Sequence, residues 1–202
     1  DRRAQGEFDQ EMEAAGGASN AYTSNDLTVY MDWFPKSALE TIFELEADRF
    51  MNLAIDPDVV ETERGAVQSE RRLRVDDNLN GRLFEQLNAN AYVAHPYQNP
   101  VFGWPSDIEN WAQDDLEQFF RTYYAPNNLT MILVGDLVPD EMIKMVKKYF
   151  ERIPHGTKEP PDVVTLEEGQ YGEKRLITAA DTSPRAEIWY HTVDWKHPDS
   201  YP

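Results

Sequence analysis

The 202 residues contain no cysteine. That excludes a disulfide framework, a thiolate nucleophile and any sulfur ligand, and it leaves the redox compartment undetermined. Any metal must be held by His, Asp or Glu. Basic residues are scarce as well: Lys+Arg 19 against Asp+Glu 37 gives a net charge of −18. Such a surface repels phosphate backbones and anionic lipid, which argues against nucleic acid and membrane surfaces as partners. No apolar run approaches the roughly 18 residues that a membrane-crossing helix needs. Neither an initiator Met nor a signal-peptide pattern is present; the chain opens inside a charged helical pattern and stops without a terminal element, so a fragment cut at both ends is expected. Against these absences stand 41% hydrophobic and 12% aromatic residues, enough for a globular core despite the charge.

Periodicity divides the chain into elements. Phe8, Met12 and Ala15 predict a helix over 6–15, stopped by Gly16 and Gly17. Alternation over 18–23 and 27–34 around Ser24, Asn25 and Asp26 predicts a hairpin. Pro35 opens a helix to about residue 53 with Leu39, Ile42, Phe43 and Phe50 as its core stripe. Asp56 then caps a helix that starts at Pro57 and runs to about residue 74. A further helix is predicted over 81–92, then helices over 114–124 and 141–150 flanking a buried strand over 129–134. Three prolines and no periodicity mark a linker, followed by strand-like runs at 174–178 and 185–193. The expected organisation is a first domain over 1–153, a linker over 154–169 and the first strands of a second domain over 170–202.

The stretch ETERGAVQSERR, residues 61–72, is the least ordinary. At ~100° per residue with Val59 at zero, Val60, Ala66, Val67 and Leu73 share an arc from about −40° to +100°. Glu63 and Glu70 fall near 40° and 20° on that arc, so both are expected to point inward. Ionised carboxylates there need compensation. A salt bridge to Arg74, a metal or catalytic site, and a solvated groove all remain open, and spacing alone favours the salt bridge. The four histidines, His95, His155, His191 and His197, form no H-x-x-x-H pair, so these residues cannot close a zinc site by themselves. P-loop, G-x-S-x-G and dinucleotide fingerprints are absent.

Six stretches taken in order carry a resemblance: Gly16-Gly17-Ala-Ser-Asn20-Ala21-Tyr22-Thr23-Ser24, Glu46-Ala-Asp48-Arg49-Phe50, Glu63-Arg64 through Ser69-Glu70-Arg71, His95-Pro96-Tyr97, Tyr124-Ala-Pro126-Asn127-Asn128 and Val134-Gly135-Asp136. Together the chain resembles the insulinase, pitrilysin and mitochondrial-processing-peptidase family of zinc peptidases, the inverzincins, and most of all its short bacterial processing-peptidase-like branch.

The resemblance implies an α+β fold, a two-layer sandwich with a largely antiparallel sheet and helices on one face. It also implies one zinc ion per active site, held by two histidines of an H-x-x-E-H helix and by a glutamate about 75 residues further on. That glutamate matches Glu70, which puts the histidine helix just before residue 1. Glu63 matches a catalytic-centre residue that supports the metal's ligands. Asn20, Ala21 and Tyr22 match an edge strand that binds substrate by strand addition, although spacing alone would favour an ordinary protected edge.

The implied partners are a peptide or unfolded polypeptide substrate and either the C-terminal half of the same protein or a homologous partner subunit. Short bacterial relatives are often exported, which points to the periplasm ahead of the cytoplasm. Against the zinc metalloendopeptidase stand a non-catalytic paralogue acting in assembly or substrate binding, and an acidic α+β binding domain whose glutamates are held by arginine. The cost of burying two unused carboxylates favours the peptidase.

Overall fold

The computed structural model describes residues 3, 4 and 6–200. The chain divides into two compact units, Asp1–Glu70 with Val101–Val164 and Arg71–Pro100 with Thr165–Pro202.

In the first unit α1 (Glu7–Ala14) ends as its glycines dictate. Gly16 takes φ +79°, the left-handed conformation that favours glycine, and the Gly17 N–H reaches back to the Met12 carbonyl at 2.8 Å. β1 (Ala18–Thr23) and β2 (Thr28–Trp33) follow as an antiparallel pair running from Ala18↔Trp33 to Thr23↔Thr28, closed by the Ser24 N–H on the Leu27 carbonyl.

The core forms around α2 (Leu39–Asn52) because its apolar residues occupy two stripes. Leu39, Phe43 and Ala47 pack with Tyr149 and Ile153 against α7 (Pro139–Phe150). Ile42 and Leu45 pack with Met12 of α1 and Ala38. Phe43 is 3% exposed and meets the rings of Phe150 and Tyr149 edge-on at 5.7 and 6.4 Å. Phe43→Ala is therefore expected to cost about 3–5 kcal/mol, read as a drop in the urea midpoint. α3 (Pro57–Arg71), α5 (Pro105–Asn110) and α6 (Gln113–Tyr123) complete the unit.

The run 129–134 forms no strand and has no strand partner among the described residues. Leu133 packs on the core, while Ile132 and Val134 are 79% and 91% exposed. A buried central strand needs a ladder on both edges and cover on both faces. Among the described residues β1 and β2 pair only with each other, so neither condition is met. The runs 174–178 and 185–193 likewise form no strand among the described residues. Among the described residues the architecture is helix-rich with one small antiparallel sheet.

In the second unit a π-helical turn, Arg72–Asp76, ends the expected long helix early, and Asn78 caps α4 (Leu79–Ala91) by accepting the Gly81 N–H at 3.1 Å. A Cβ at Gly81 would run into the Arg74 carbonyl and lie 2.8 Å from the Val75 Cα. Gly81→Ala is expected to destabilise by about 3 kcal/mol or more, because the obstacle is backbone.

The chain beyond residue 165 follows α4. Glu167 accepts the N–H groups of Val93, Ala94 and His95 at 2.8–2.9 Å, donors that hold its carboxyl down at about 2. Lys174 donates to the carbonyls of Asn90 and Ala91 at the C-terminal end of α4, where a cation is favoured.

Candidate active site

α3 begins as its sequence directs, with the Asp56 carboxylate accepting the Asp58 N–H at 2.8 Å and Pro57 at the first helical position. Glu63 and Glu70 lie on it two turns apart, so their Cα atoms are separated by about 10 Å along one line. Both side chains are exposed. The inward orientation expected for them is thus corrected. The buried positions are Val60 and Arg71, with Val59, Arg64, Val67 and Gln68 half-buried, which centres the inner face near 100° rather than 30°.

Two arginines explain the rotation. Arg64 donates to the carbonyls of Ile108 and Trp111, the latter at 2.7 Å, pairs with Glu61 at 3.0 Å and lies 5.5 Å from the centre of the Trp111 ring. It thereby satisfies carbonyls at the end of α5. Arg71, 4% exposed, grips both oxygens of Glu85 at 2.6 and 3.0 Å. At about 120°, Arg71 falls outside the apolar arc, yet a guanidinium gripped at both ends of its fork by one carboxylate can go in. Leu73, which falls within that arc, is 72% exposed.

Two consequences follow. The glutamates need no buried counter-charge, and the argument that a non-catalytic subunit would not bury them no longer applies. What the helix offers is a row of two carboxylates on an accessible face. One carboxylate oxygen is a suitable hard donor for zinc, but the described residues include no group of three or more His, Asp or Glu that could hold an ion. The residues present fit a share of a zinc site.

Three of the four histidines have partners elsewhere, His197 Nδ1 accepting the Asp199 N–H at 3.1 Å. His95 Nδ1 accepts the Tyr97 N–H at 3.2 Å, with the two rings 4.4 Å apart, and His191 stacks on Tyr92 at 5.0 Å. His155 is exposed.

Asn20, Ala21 and Tyr22 are all exposed on β1, the outer edge of the two-stranded sheet among the described residues. The Asn20 carboxamide oxygen accepts the Ala21 N–H at 2.8 Å, so a side chain of the strand covers one of its backbone donors. Beneath the hairpin lies a group that the sequence reading passed over: Tyr30 and Asp32 of β2 with Glu46 and Arg49 of α2. Arg49 sits 4.5 Å from the Tyr30 ring centre and 4.9 Å from that of Phe8, and bonds Glu46 at 2.5 Å. The signal was available in the two-residue alternation of β2, which puts Tyr30 and Asp32 on one face.

The family model described as Insulinase (Peptidase family M16) matches residues 1–104, just over half of the chain. This chain belongs to the insulinase family, peptidase family M16. A second model, Peptidase M16 inactive domain, matches residues 110–202 of this insulinase-family chain. Among curated proteins it is similar to the zinc protease PqqE of Helicobacter pylori, 34% identical over 87% of this chain and 40% of that protein. It is also similar to a probable mitochondrial-processing peptidase subunit beta of Schizosaccharomyces pombe, 28% identical over 98% of this chain and 44% of that protein. The crystal structure of a protease from Helicobacter pylori superimposes with a TM-score of 0.80 at 34% identity, over 83% of this chain and 40% of that one. The chain thus spans less than half the length of the curated relatives it matches. No helix among the described residues is long and apolar enough to cross a membrane.

Proposed function

We propose that the whole protein is a zinc metalloendopeptidase and that these residues supply the acidic side of its metal centre and the strand that holds its substrate. The observation that carries this reading is the accessible row of Glu63 and Glu70 on α3, in a chain 34% identical to a zinc protease.

Glu70 would give one carboxylate oxygen to the ion. Glu63, one heptad earlier, would accept the ring N–H of a metal-binding histidine and so fix its tautomer and orientation. Zinc bound there would lower the pKa of a bound water to about 7 and polarise the scissile carbonyl. The two histidines and the proton-accepting glutamate would come from an H-x-x-E-H helix elsewhere in the whole protein.

β1 would bind an extended peptide or unfolded polypeptide along Asn20, Ala21 and Tyr22. Backbone bonds there give affinity with little sequence preference. A substrate carbonyl would have to take the Ala21 N–H from the Asn20 side chain. The remaining wall of the chamber would come from the C-terminal half of the protein or a homologous partner subunit.

The test is hydrolysis of an unstructured peptide by the full-length protein. The reading expects activity that a chelator abolishes and added zinc restores; an inert protein that still binds the peptide would support the non-catalytic paralogue. The isolated 202-residue chain is expected to hydrolyse nothing and to hold no stoichiometric zinc in equilibrium dialysis, since one carboxylate is not a zinc site. Tight one-to-one zinc in the isolated chain would contradict that assignment.

A further inference from the structure

β1 is carried by β2, and β2 is held on α2 largely through polar groups. The register sets Ser19 opposite Asp32 and Ala21 opposite Tyr30, directly across from the strand read above as the substrate strand. Tyr30 is hydrogen-bonded through its hydroxyl to that of Tyr124 at 2.7 Å. The Asp32 carboxyl of β2 and the Glu46 carboxyl of α2 lie close enough to perturb each other directly. Asp32 Oδ1 and Glu46 Oε1 are both buried and take no hydrogen from any other described group.

Two buried, interacting carboxyl groups whose oxygens find no donor repel each other unless one of them keeps a proton. We propose that Asp32 and Glu46 share one proton, and that this bond fastens the hairpin to α2, which makes Glu46 a positioning residue for the peptide-binding strand. The positioning role rests on the reading of β1 as that strand; the fastening itself does not.

Burial pushes the Glu46 carboxyl up to about 7, with the Arg49 guanidinium opposing the rise and the Asp32 charge adding to it. Burial raises Asp32 as well. A proton is therefore held between them at pH values where an ordinary carboxyl has lost its own. The other charged and titratable groups nearby do not compete for it. Arg49 bonds Glu46 at 2.5 Å, burial raises Tyr30 above its ordinary value and keeps it neutral, and Tyr124 is bonded to Tyr30. Asp48, on the same helix, is engaged by Arg3 and Asn52 at 2.6 and 2.7 Å.

The direction of the pH effect follows from linkage. The folded hairpin holds a proton that the detached hairpin releases, so the fastening is complete below about pH 4.5 and weakens as pH rises towards about 7. Above that it changes no further. Full-length protein and its Glu46→Gln variant, whose amide donates to Asp32 at every pH, are compared by hydrogen exchange of the β1 and β2 amides, corrected for intrinsic rates. Wild type is expected to lose protection by up to about tenfold per pH unit across that window, whereas Glu46→Gln stays flat. Glu46→Ala is expected to lose protection at all pH values.

In the same proteins, KM for an unstructured peptide is expected to rise across the window in wild type relative to Glu46→Gln, with the kcat ratio constant. Parallel exchange profiles in wild type and Glu46→Gln would overturn the shared proton. A pH-dependent exchange with a constant KM ratio would overturn the positioning role. If the full-length protein cleaves no peptide at all, it is the peptidase reading that falls, and the exchange profiles still decide the fastening.

Discussion

Glu70→Gln in the full-length protein is expected to lower zinc affinity by more than 100-fold and to abolish peptide hydrolysis at ambient zinc. A ligand that only orients others costs about 10–100-fold when removed, which is the loss expected for Glu63→Gln. Loss of a direct oxygen donor must exceed that. Glu70 lies on an exposed face of α3, and the glutamine keeps its shape and can still accept a hydrogen bond there. Competitive titration against a zinc chelator, with thermal melts alongside, separates metal loss from unfolding. Unchanged zinc affinity in Glu70→Gln would remove this residue from the metal centre.

The second large effect is on stability, at a residue whose place in the sequence pattern gave no warning. Arg71→Ala is expected to destabilise by about 3–5 kcal/mol, because it strands Glu85, whose two carboxylate oxygens Arg71 holds at 2.6 and 3.0 Å. Arg72→Ala, one position along and exposed, is expected to change stability by no more than about 0.5 kcal/mol. Arg71→Met combined with Glu85→Leu should recover most of the loss, since an apolar pair of similar volume removes the desolvation cost together with the attraction. Urea midpoints at constant slope measure all three. Equal, small effects at Arg71 and Arg72 would mean that the inner face of α3 lies where the apolar pattern put it.

That contrast shows what a sequence can and cannot disclose here. The hairpin, the glycine stop after α1 and the Asp56-Pro57 helix start were legible, because each depends on one or two residues with a strong local preference. The phase of α3 was not. Its apolar residues are few, and the arginines that define its inner face are paid for by partners 14 to 47 residues away, in Glu85 and the carbonyls at the end of α5.

The run 129–134 was misread for a related reason. Its composition is that of a buried strand, but pairing depends on neighbours, and the described residues supply none. The candidate site was visible only as a list: Glu63 and Glu70 by spacing, Asn20 to Tyr22 by resemblance. The polar fastening under the hairpin joins Asp32 to Glu46 across the turn into α2, a contact that periodicity could place on the right faces but could not bring together.

The central claim is that Glu70 binds a metal ion, and diffraction at the zinc edge from crystals of the full-length protein tests it most directly. The account expects an anomalous peak about 2.0–2.2 Å from a Glu70 carboxylate oxygen, with two histidine nitrogens at about 2.0–2.1 Å. A fully occupied zinc peak with the Glu70 side chain turned to solvent would contradict it.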